Sequence, residues 1–378
     1  MTSPLRLAVI TKYLRATGGA ERYGLEVARR MVERGHAVDL YVREYEPALA
    51  AGMGLSLIPD RWRFSSVGSS LAFAQDAAHR LAGRAYDVVH SHERGWAQDL
   101  LTLHTFSYRG GVAQYPGWRR LDQVWLSPRS WLYLWLERRQ MAGRWLVAVS
   151  ECIREDCRRH YRRQERVQVI PPGVDTGHFH PQTLAGLRHE SRQRLGLAPE
   201  ALAVLFVGSE FRRKGLDLLL AALGTGMHLL VVGRGERLSW FRRQVAAHGL
   251  GGRVQFLGLA ADVRPYLAAA DLVALPSRRE AFGMSILEAM SCGLSVVVSR
   301  EAGVASLIVS GENGLTVAGP AQLRQALAAL RDPQLRARLG SQARRTAEGH
   351  GWGAVALAHE ELYFRIRADK ARAPTPQT

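Results

Sequence analysis

The stretch ALAVLFVGSEFRRKGLDLLL, residues 201–220, decides the fold. Its first eight residues form a short apolar run suited to a strand buried on both faces. The run stops at Gly208, Arg212, Arg213 and Lys214 follow, and a helix is expected to start near Leu216. In open parallel sheets, ligands lie beyond the carboxyl ends of the strands, where free helix amides favour anions. Three cations at such a place can neutralise a diphosphate and its developing charge as it leaves. A solvated basic loop is the plainer alternative.

The same alternation extends in both directions. MHLLVVG (227–233), VQFLG (254–258), DLVALPS (271–277) and LSVVVS (294–299) are further strands with helical segments between them. Upstream, LRLAVIT (5–11), AVDLYVR (37–43), YDVVHSH (86–92), DLLTLHTF (99–106), WLVAVS (145–150) and VQVIPP (167–172) repeat the pattern. After the first of these comes a Gly-Gly turn at Gly18 and Gly19. A helix then carries Tyr23, Val27, Met31 and Val32 at helical spacing. PPGVDTGHFHP (171–181) is the expected connection between two halves. With 378 residues, the chain is long enough for two domains. The reading is an α/β protein with a domain over 1–183 and a second over 184–353. A disordered tail is expected over 369–378.

RREAFGMSILEAMSCG (278–293) carries the sharpest chemistry. Glu280 falls in the loop after the strand DLVALPS, the helix is expected near Gly283, and Glu288 lies one to two turns inside it. The main chain at Phe282, Gly283 and Met284 offers amides to a ligand, and glycine allows close approach. Glu280 can accept hydrogen bonds from sugar hydroxyls and Glu288 from a second diol, such as a ribose. As a paired-carboxylate hydrolase the segment has no support from spacing, and as a dipole complement the glutamates need no ligand.

GGAER (18–22), GSEFRRKG (208–215), Glu280-x7-Glu288 and ENGLTV (312–317) together resemble the GT-B-fold retaining glycosyltransferases of family 4. Within that family the chain most resembles the lipopolysaccharide core glucosyltransferase I group. The resemblance runs in order along nearly the whole chain. It implies two Rossmann-like domains facing a cleft, with a last helix, about 354–368, packing back on the first. It also implies metal-independent transfer of a hexose with retention, from a nucleoside-diphosphate sugar to a hydroxyl acceptor. Glu280 would hold sugar hydroxyls and Glu288 the ribose; Arg213 and Lys214 would hold the diphosphate. Gly18 and Gly19 would approach the donor, and Phe282, Gly283 and Met284 would complete the sugar pocket. His104, ending LLTLH, matches a histidine near the reacting sugar. No cofactor is expected, only the donor substrate. The usual PE pair of the family is Ala305-Ser306 here. UDP-glucose is the favoured donor, with GDP-mannose as the alternative. A lipopolysaccharide core or other lipid-linked glycan is the favoured acceptor, with a soluble acceptor as the alternative.

Charge and aromatic residues bear on partners. Fifty-one basic residues against 34 acidic ones leave +17. Residues 1–183 hold 26 basic and 18 acidic groups, so the excess is spread along the chain. Such a field attracts anions of several classes. Five of nine tryptophans, Trp118, Trp125, Trp131, Trp135 and Trp145, lie among arginines in 115–145. Aromatic rings with guanidinium groups suit an anionic membrane face, and packing inside the first domain is the alternative. Peripheral attachment to the cytoplasmic face of the inner membrane is therefore expected. The start, MTSPLRLAVIT, shows no long apolar signal segment. A basic nucleic-acid-binding protein would explain the charge but not Glu280 and Glu288, so no nucleic acid is expected. His90, His92 and His104 could suggest zinc, but no fourth ligand is evident and no metal is expected. Cys152, Cys157 and Cys292 read as structural thiols.

Overall fold

The computed structural model describes residues 3–15, 18–62, 65–114, 127–142 and 145–372. It divides into two units, Met1–Pro172 with Trp352–Thr378, and Gly173–Gly351. Each is a Rossmann-like α/β unit built on a parallel sheet.

In the first unit the strands are β1 (Arg6–Ile10), β2 (Ala37–Val42), β3 (Gly54–Leu57), β4 (Val88–Ser91), β5 (Leu100–Leu103), β6 (Trp145–Ala148) and β7 (Val167–Val169). They lie in the order β3-β2-β1-β4-β5-β6-β7, all parallel. Strand order reverses at β1, where Leu7 pairs with Val38 on one side and Val88 on the other. Leu7, Ala8, Val9 and Ile10 are all buried, as a central strand covered on both faces requires. The edge strand β3 was not read from the sequence. Its GLSL alternates leucine with small residues, but it is only four residues long and leaves Leu55 and Leu57 exposed, so no buried face marks it.

The second unit contains β8 (Leu202–Val207), β9 (Met227–Val232), β10 (Val254–Gly258), β11 (Leu272–Leu275), β12 (Ser295–Ser299) and β13 (Leu315–Val317). Their order, β10-β9-β8-β11-β12-β13, again reverses at the first strand. Crevices at such reversals are where ligands bind. Both candidate loops, 208–215 after β8 and 276–283 after β11, leave neighbouring strands at this reversal.

The division falls at Pro172–Gly173, not at 183–184. The helix Pro181–Arg194 contains the expected boundary, and its Arg192 explains why it belongs to the second unit. The Arg192 guanidinium is buried and donates to the carbonyls of Ala198, Ala201 and Ala269 at 2.6, 2.6 and 2.8 Å. It also faces Asp271 at 3.5 Å, whose carboxylate accepts from the Ala203 amide and from Arg188. The last helix runs over Trp352–Arg372, starting earlier and ending later than 354–368. Its buried Trp352, His359, Leu362 and Tyr363 belong to the first unit's core. Of the expected disordered tail, 369–372 is helical and 373–378 lies outside the described residues.

Arg192→Leu removes the donor of three carbonyls, that of Ala269 buried, and a counter-ion of Asp271. We expect a loss of about 3 kcal/mol from the second unit. Equilibrium denaturation checks it: an unchanged midpoint would mean that these carbonyls find other partners.

Candidate active site

The second unit builds its site around one carboxylate. Glu280 is buried, and its Oε2 accepts from Arg213 Nη1 at 3.2 Å and faces Lys214 Nζ at 3.3 Å. Three local features place these groups. Phe211 is buried edge-on to Phe241, with ring centroids 5.5 Å apart, and anchors the loop after β8. Gly215 then opens the helix Leu216–Ala222 at φ +77°, in the left-handed region that favours glycine. A Cβ there would collide with the Pro276 carbonyl, so the loop after β11 passes against this backbone. Finally, the Glu280 main chain is fixed on both sides, its amide donating to Glu301 O and its carbonyl accepting from the Gly303 amide.

The three cations of the loop do not act alike. Arg213 donates from Nε to Glu210 at 2.5 Å and from Nη1 to the Arg279 carbonyl at 2.6 Å. Burial pulls its guanidinium down, but the hydrogen bonds and charges of Glu210 and Glu280 outweigh this and hold it above its ordinary value. Arg212 gives its carbonyl to Arg278, which also makes a two-pronged pair with Asp217 at 2.8 and 2.7 Å. Arg278 was not singled out from the sequence. It ties the two loops and the start of the helix Leu216–Ala222 together. The structure thus brings Arg213, Lys214 and Glu280 into one cluster.

Next to the cluster, Phe282 is buried and Gly283 precedes the helix Met284–Ser291 at φ +107°. No side chain caps this helix. Ser285, in its first turn, bonds the carbonyl of Val207 at the end of β8 at 3.4 Å, joining the two strand ends. Met284 and Glu288 are half-buried on this helix. In contrast, Ser65, Ser107, Ser127 and Ser150 cap four helices of the first unit. The helix start at Gly283, which no side chain caps, can take an anion with the Arg213 and Lys214 cations in the facing loop, whereas the Gly215 and Leu216 amides are already spent on the Arg212 and Phe211 carbonyls.

On the first unit, Gly18 is the N-cap of the helix Gly19–Glu33, again without a side-chain cap. Ala16 and Thr17 lie outside the described residues. His104 follows β5 and its Nε2 is 3.0 Å from His92 Nδ1. His90 commits both ring nitrogens, Nδ1 to the Tyr363 hydroxyl and Nε2 to the Thr102 hydroxyl, each at 2.7 Å. His359, from the last helix, uses Nδ1 on the Val355 carbonyl and faces the Tyr23 hydroxyl with Nε2 at 3.4 Å. The rings of Tyr23 and His104 meet edge to face at 5.2 Å. The meeting of Tyr23 with His359 escaped the sequence reading because 336 residues separate them. Burial pushes His104 down to about 3, with His359 adding to the effect, and burial brings His359 itself down to about 4. Burial also holds His90 and His92 well below the ordinary histidine value.

Burial raises the Cys157 and Cys292 thiols to about 12, which suits structural cysteines and not nucleophiles. In the aromatic segment, Ser127 caps the helix Pro128–Met141, with Pro128 in its first turn. Trp131 and Trp135 are exposed at 48% and 47%, while Tyr133 and Leu136 are buried. Arg139 lies 4.8 Å over the Trp135 ring. Trp145 is half-buried in β6. Tyr115, Trp118, Arg119, Arg120, Trp125 and Arg144 lie outside the described residues. Among the described residues no helix is long and apolar enough to cross a membrane.

The chain is similar to known proteins along most of its length. The family model "Glycosyltransferase Family 4" matches residues 17–178, and "Glycosyl transferases group 1" matches residues 188–346. A D-inositol 3-phosphate glycosyltransferase of Xylanimonas cellulosilytica is 31% identical, with 92% of this chain and 91% of the relative covered. The lipopolysaccharide glucosyltransferase WaaG of Escherichia coli is 27% identical over 80% of this chain and 82% of its own. A crystal structure of WaaG, a glycosyltransferase involved in lipopolysaccharide biosynthesis, superposes with a TM-score of 0.80 at 25% identity, covering 94% and 99% of the two chains. Anabaena HepE, solved with UDP and glucose, shares the fold at a TM-score of 0.72 and 21% identity over 95% and 99%.

The histidine cluster sets a pH dependence. An unfolded histidine titrates near 6.5. The folded state keeps these rings neutral and so binds fewer protons, which means stability is complete above about pH 6.5 and is lost as pH falls below it. For His104 and His359 the loss continues towards pH 3–4, at about 1.4 kcal/mol per pH unit for each ring. Urea denaturation at pH 7 and pH 5 should show a clearly lower midpoint at pH 5. Equal midpoints would mean that the rings are accessible to protons in the folded chain.

Proposed function

The chain belongs to the family 4, group 1 glycosyltransferases, and on that premise we propose that it moves a hexose from a nucleoside-diphosphate sugar to a hydroxyl acceptor with retention of configuration. The observation that carries this reading is the Glu280 carboxylate shared between Arg213 and Lys214 beside two helix starts that no side chain caps. Before a donor binds, the two cations have Glu280 as counter-ion. A diphosphate carries more charge and more acceptor oxygens than one carboxylate, so it competes for both cations. Glu280 is then released towards the sugar, where its oxygens accept from hydroxyls. Arg213 and Lys214 counter the charge on the leaving diphosphate, the part a divalent ion plays elsewhere, so the reaction proceeds without a metal. Attack and departure share one face of the sugar, and the leaving phosphate takes the acceptor proton. Glu280 positions the sugar and forms no bond to it.

The remaining groups have supporting parts. Glu288 accepts from the ribose, and the amides around Phe282, Gly283 and Met284 bond the sugar. On the first unit, Gly18 and Gly19 offer the main chain to the diphosphate, and neutral His104 hydrogen-bonds the sugar. UDP-glucose is the favoured donor; GDP-mannose is the alternative. The favoured acceptor is a lipopolysaccharide core or other lipid-linked glycan, met at the inner face of the membrane by Trp131, Trp135 and Arg139. A soluble phosphorylated cyclitol is a second reading, favoured by the 31% identity to a D-inositol 3-phosphate glycosyltransferase.

Glu280→Gln should lower kcat by roughly 100-fold or more, as loss of a group aimed at the reacting centre does. It should bind UDP at least as tightly as the parent, since Arg213 and Lys214 lose the carboxylate that they share. Thermal shift against UDP- and GDP-hexoses reads donor binding, and transfer assays in EDTA read metal dependence. Wild-type turnover in Glu280→Gln would remove it from the site.

The exposed pair makes a separate prediction. Trp131→Ala with Trp135→Ala should weaken sedimentation with anionic vesicles by about tenfold and leave transfer to a soluble acceptor unchanged. Unchanged vesicle binding would reject the membrane role of this helix.

A further inference from the structure

His92 stands behind His104, and its surroundings leave it one economical protonation state. Its Nδ1 faces His104 Nε2 at 3.0 Å. Its Nε2 is buried and has no hydrogen-bond partner among the described residues. That nitrogen points to the helix Gly19–Glu33 at Gly24, where a Cβ would lie 3.2 Å from His92 Cδ2 and 3.4 Å from Nε2. The remaining ring neighbours offer no acceptor either. His90 is 4.3 Å away by ring centroid with both nitrogens spent, and Tyr23 lies at 6.0 Å with its hydroxyl on the Ile170 carbonyl.

A neutral imidazole carries one N–H. If His92 held it on Nε2, a buried donor would be orphaned, which folded proteins rarely tolerate. Held on Nδ1, the proton is donated to His104 and only a lone pair is left unused. His104 Nε2 then accepts, so the single N–H of His104 must be on Nδ1. We propose that His92 is a positioning residue that fixes His104 as the Nδ1–H tautomer, so that His104 presents a hydrogen-bond donor to an oxygen of the sugar. This rests on the assignment of His104 to the donor sugar under the proposed function. It goes further in naming which nitrogen acts, in which state, and which residue sets it. Burial keeps both rings neutral, so His104 donates without bringing a charge.

The test is the tautomer itself, read from long-range 15N–1H correlations of the full chain labelled at the histidine ring nitrogens, at pH 7. The His104 ring is identified among the 13 histidines by its loss in His104→Asn. The wild type should show His104 protonated at Nδ1 only. His92→Phe, of similar shape and without a donor, should give a mixed His104 signal and a kcat reduced roughly tenfold, with donor KM within about twofold. His92→Asn keeps an N–H near the position of Nδ1 and should recover both the signal and most of kcat. A wild-type His104 protonated at Nε2 overturns the proposal without any variant having to fold, and so does a pure Nδ1–H signal in His92→Phe. Full transfer by His104→Ala would instead overturn the assignment of His104 to the sugar, and with it the catalytic meaning of the tautomer.

Discussion

A carboxylate held between two cations organises the second unit. Glu280 is buried, yet it sits 3.2 Å from Arg213 and 3.3 Å from Lys214, and these arrive on a different loop from a different strand. Desolvating three charges costs free energy that their mutual attraction recovers only with good geometry and further hydrogen bonds. Those bonds are present: Glu210 and the Arg279 carbonyl on Arg213, and the main-chain pairing of Glu280 with 301–303. The Arg278–Asp217 pair braces the same two loops from outside. Two loops that leave neighbouring strands are thereby kept in register, and the helix start at Gly283, which no side chain caps, lies next to charge. Placing this cluster at the reversal of strand order follows from the topology. Only there do β8 and β11 lie side by side although 64 residues separate the end of one from the start of the other.

The first unit handles polar groups in the opposite way. Burial keeps the rings of His90, His92, His104 and His359 neutral, and with Tyr23 and Tyr363 they meet through hydrogen bonds and edge-to-face or stacked ring contacts. Burial disfavours the charged form of each ring, and a second imidazolium nearby would disfavour it further. Such a cluster can define donor and acceptor directions in a way that a flexible ion pair cannot. The cost is acid sensitivity, because the unfolded chain protonates where the folded one does not.

What could be read from the sequence was what is local. The strand-turn-helix runs at 201–220 and 278–293 put their chemistry within a few residues of a strand end, so Arg213, Lys214, Glu280 and Gly283 stood out. The helix starts at Leu216 and Met284 likewise follow glycines with positive φ. What escaped depends on long separations. Tyr23 and His359 meet across 336 residues, and Arg278 closes on Asp217 across 61. The helix Pro181–Arg194 joins the second unit through Leu184 in its core and the hydrogen bonds of Arg188 and Arg192, which no composition shift announces. Strand β3 lacks a buried face of its own. The aromatic run shows a different limit. Helical spacing correctly made Trp131 and Trp135 neighbours one turn apart, but only the structure separates their exposed faces from the buried Tyr133 and Leu136.

The net charge of +17 takes a different meaning once its arginines are traced. Taken as a field, it draws anions of every class. Many of these guanidinium groups, however, are occupied within the fold. Arg192 satisfies three carbonyls, and Arg344 reaches those of Thr176, Phe179 and Ser291. Arg188 bonds two carbonyls as well as Asp271, and Arg278 is spent on a loop brace. A planar fork with five donors can do this where an ammonium cannot, which gives a structural reason for a chain with 48 arginines and only Lys12, Lys214 and Lys370 as lysines. Against that background Lys214 is the single lysine of the second unit. A compact ammonium beside Glu280 can exchange one oxygen partner for another with little geometric demand, which is what the proposed exchange of Glu280 for a phosphate requires. The candidate site is thus marked less by the excess of positive charge than by the one place in the second unit where the chain uses a lysine.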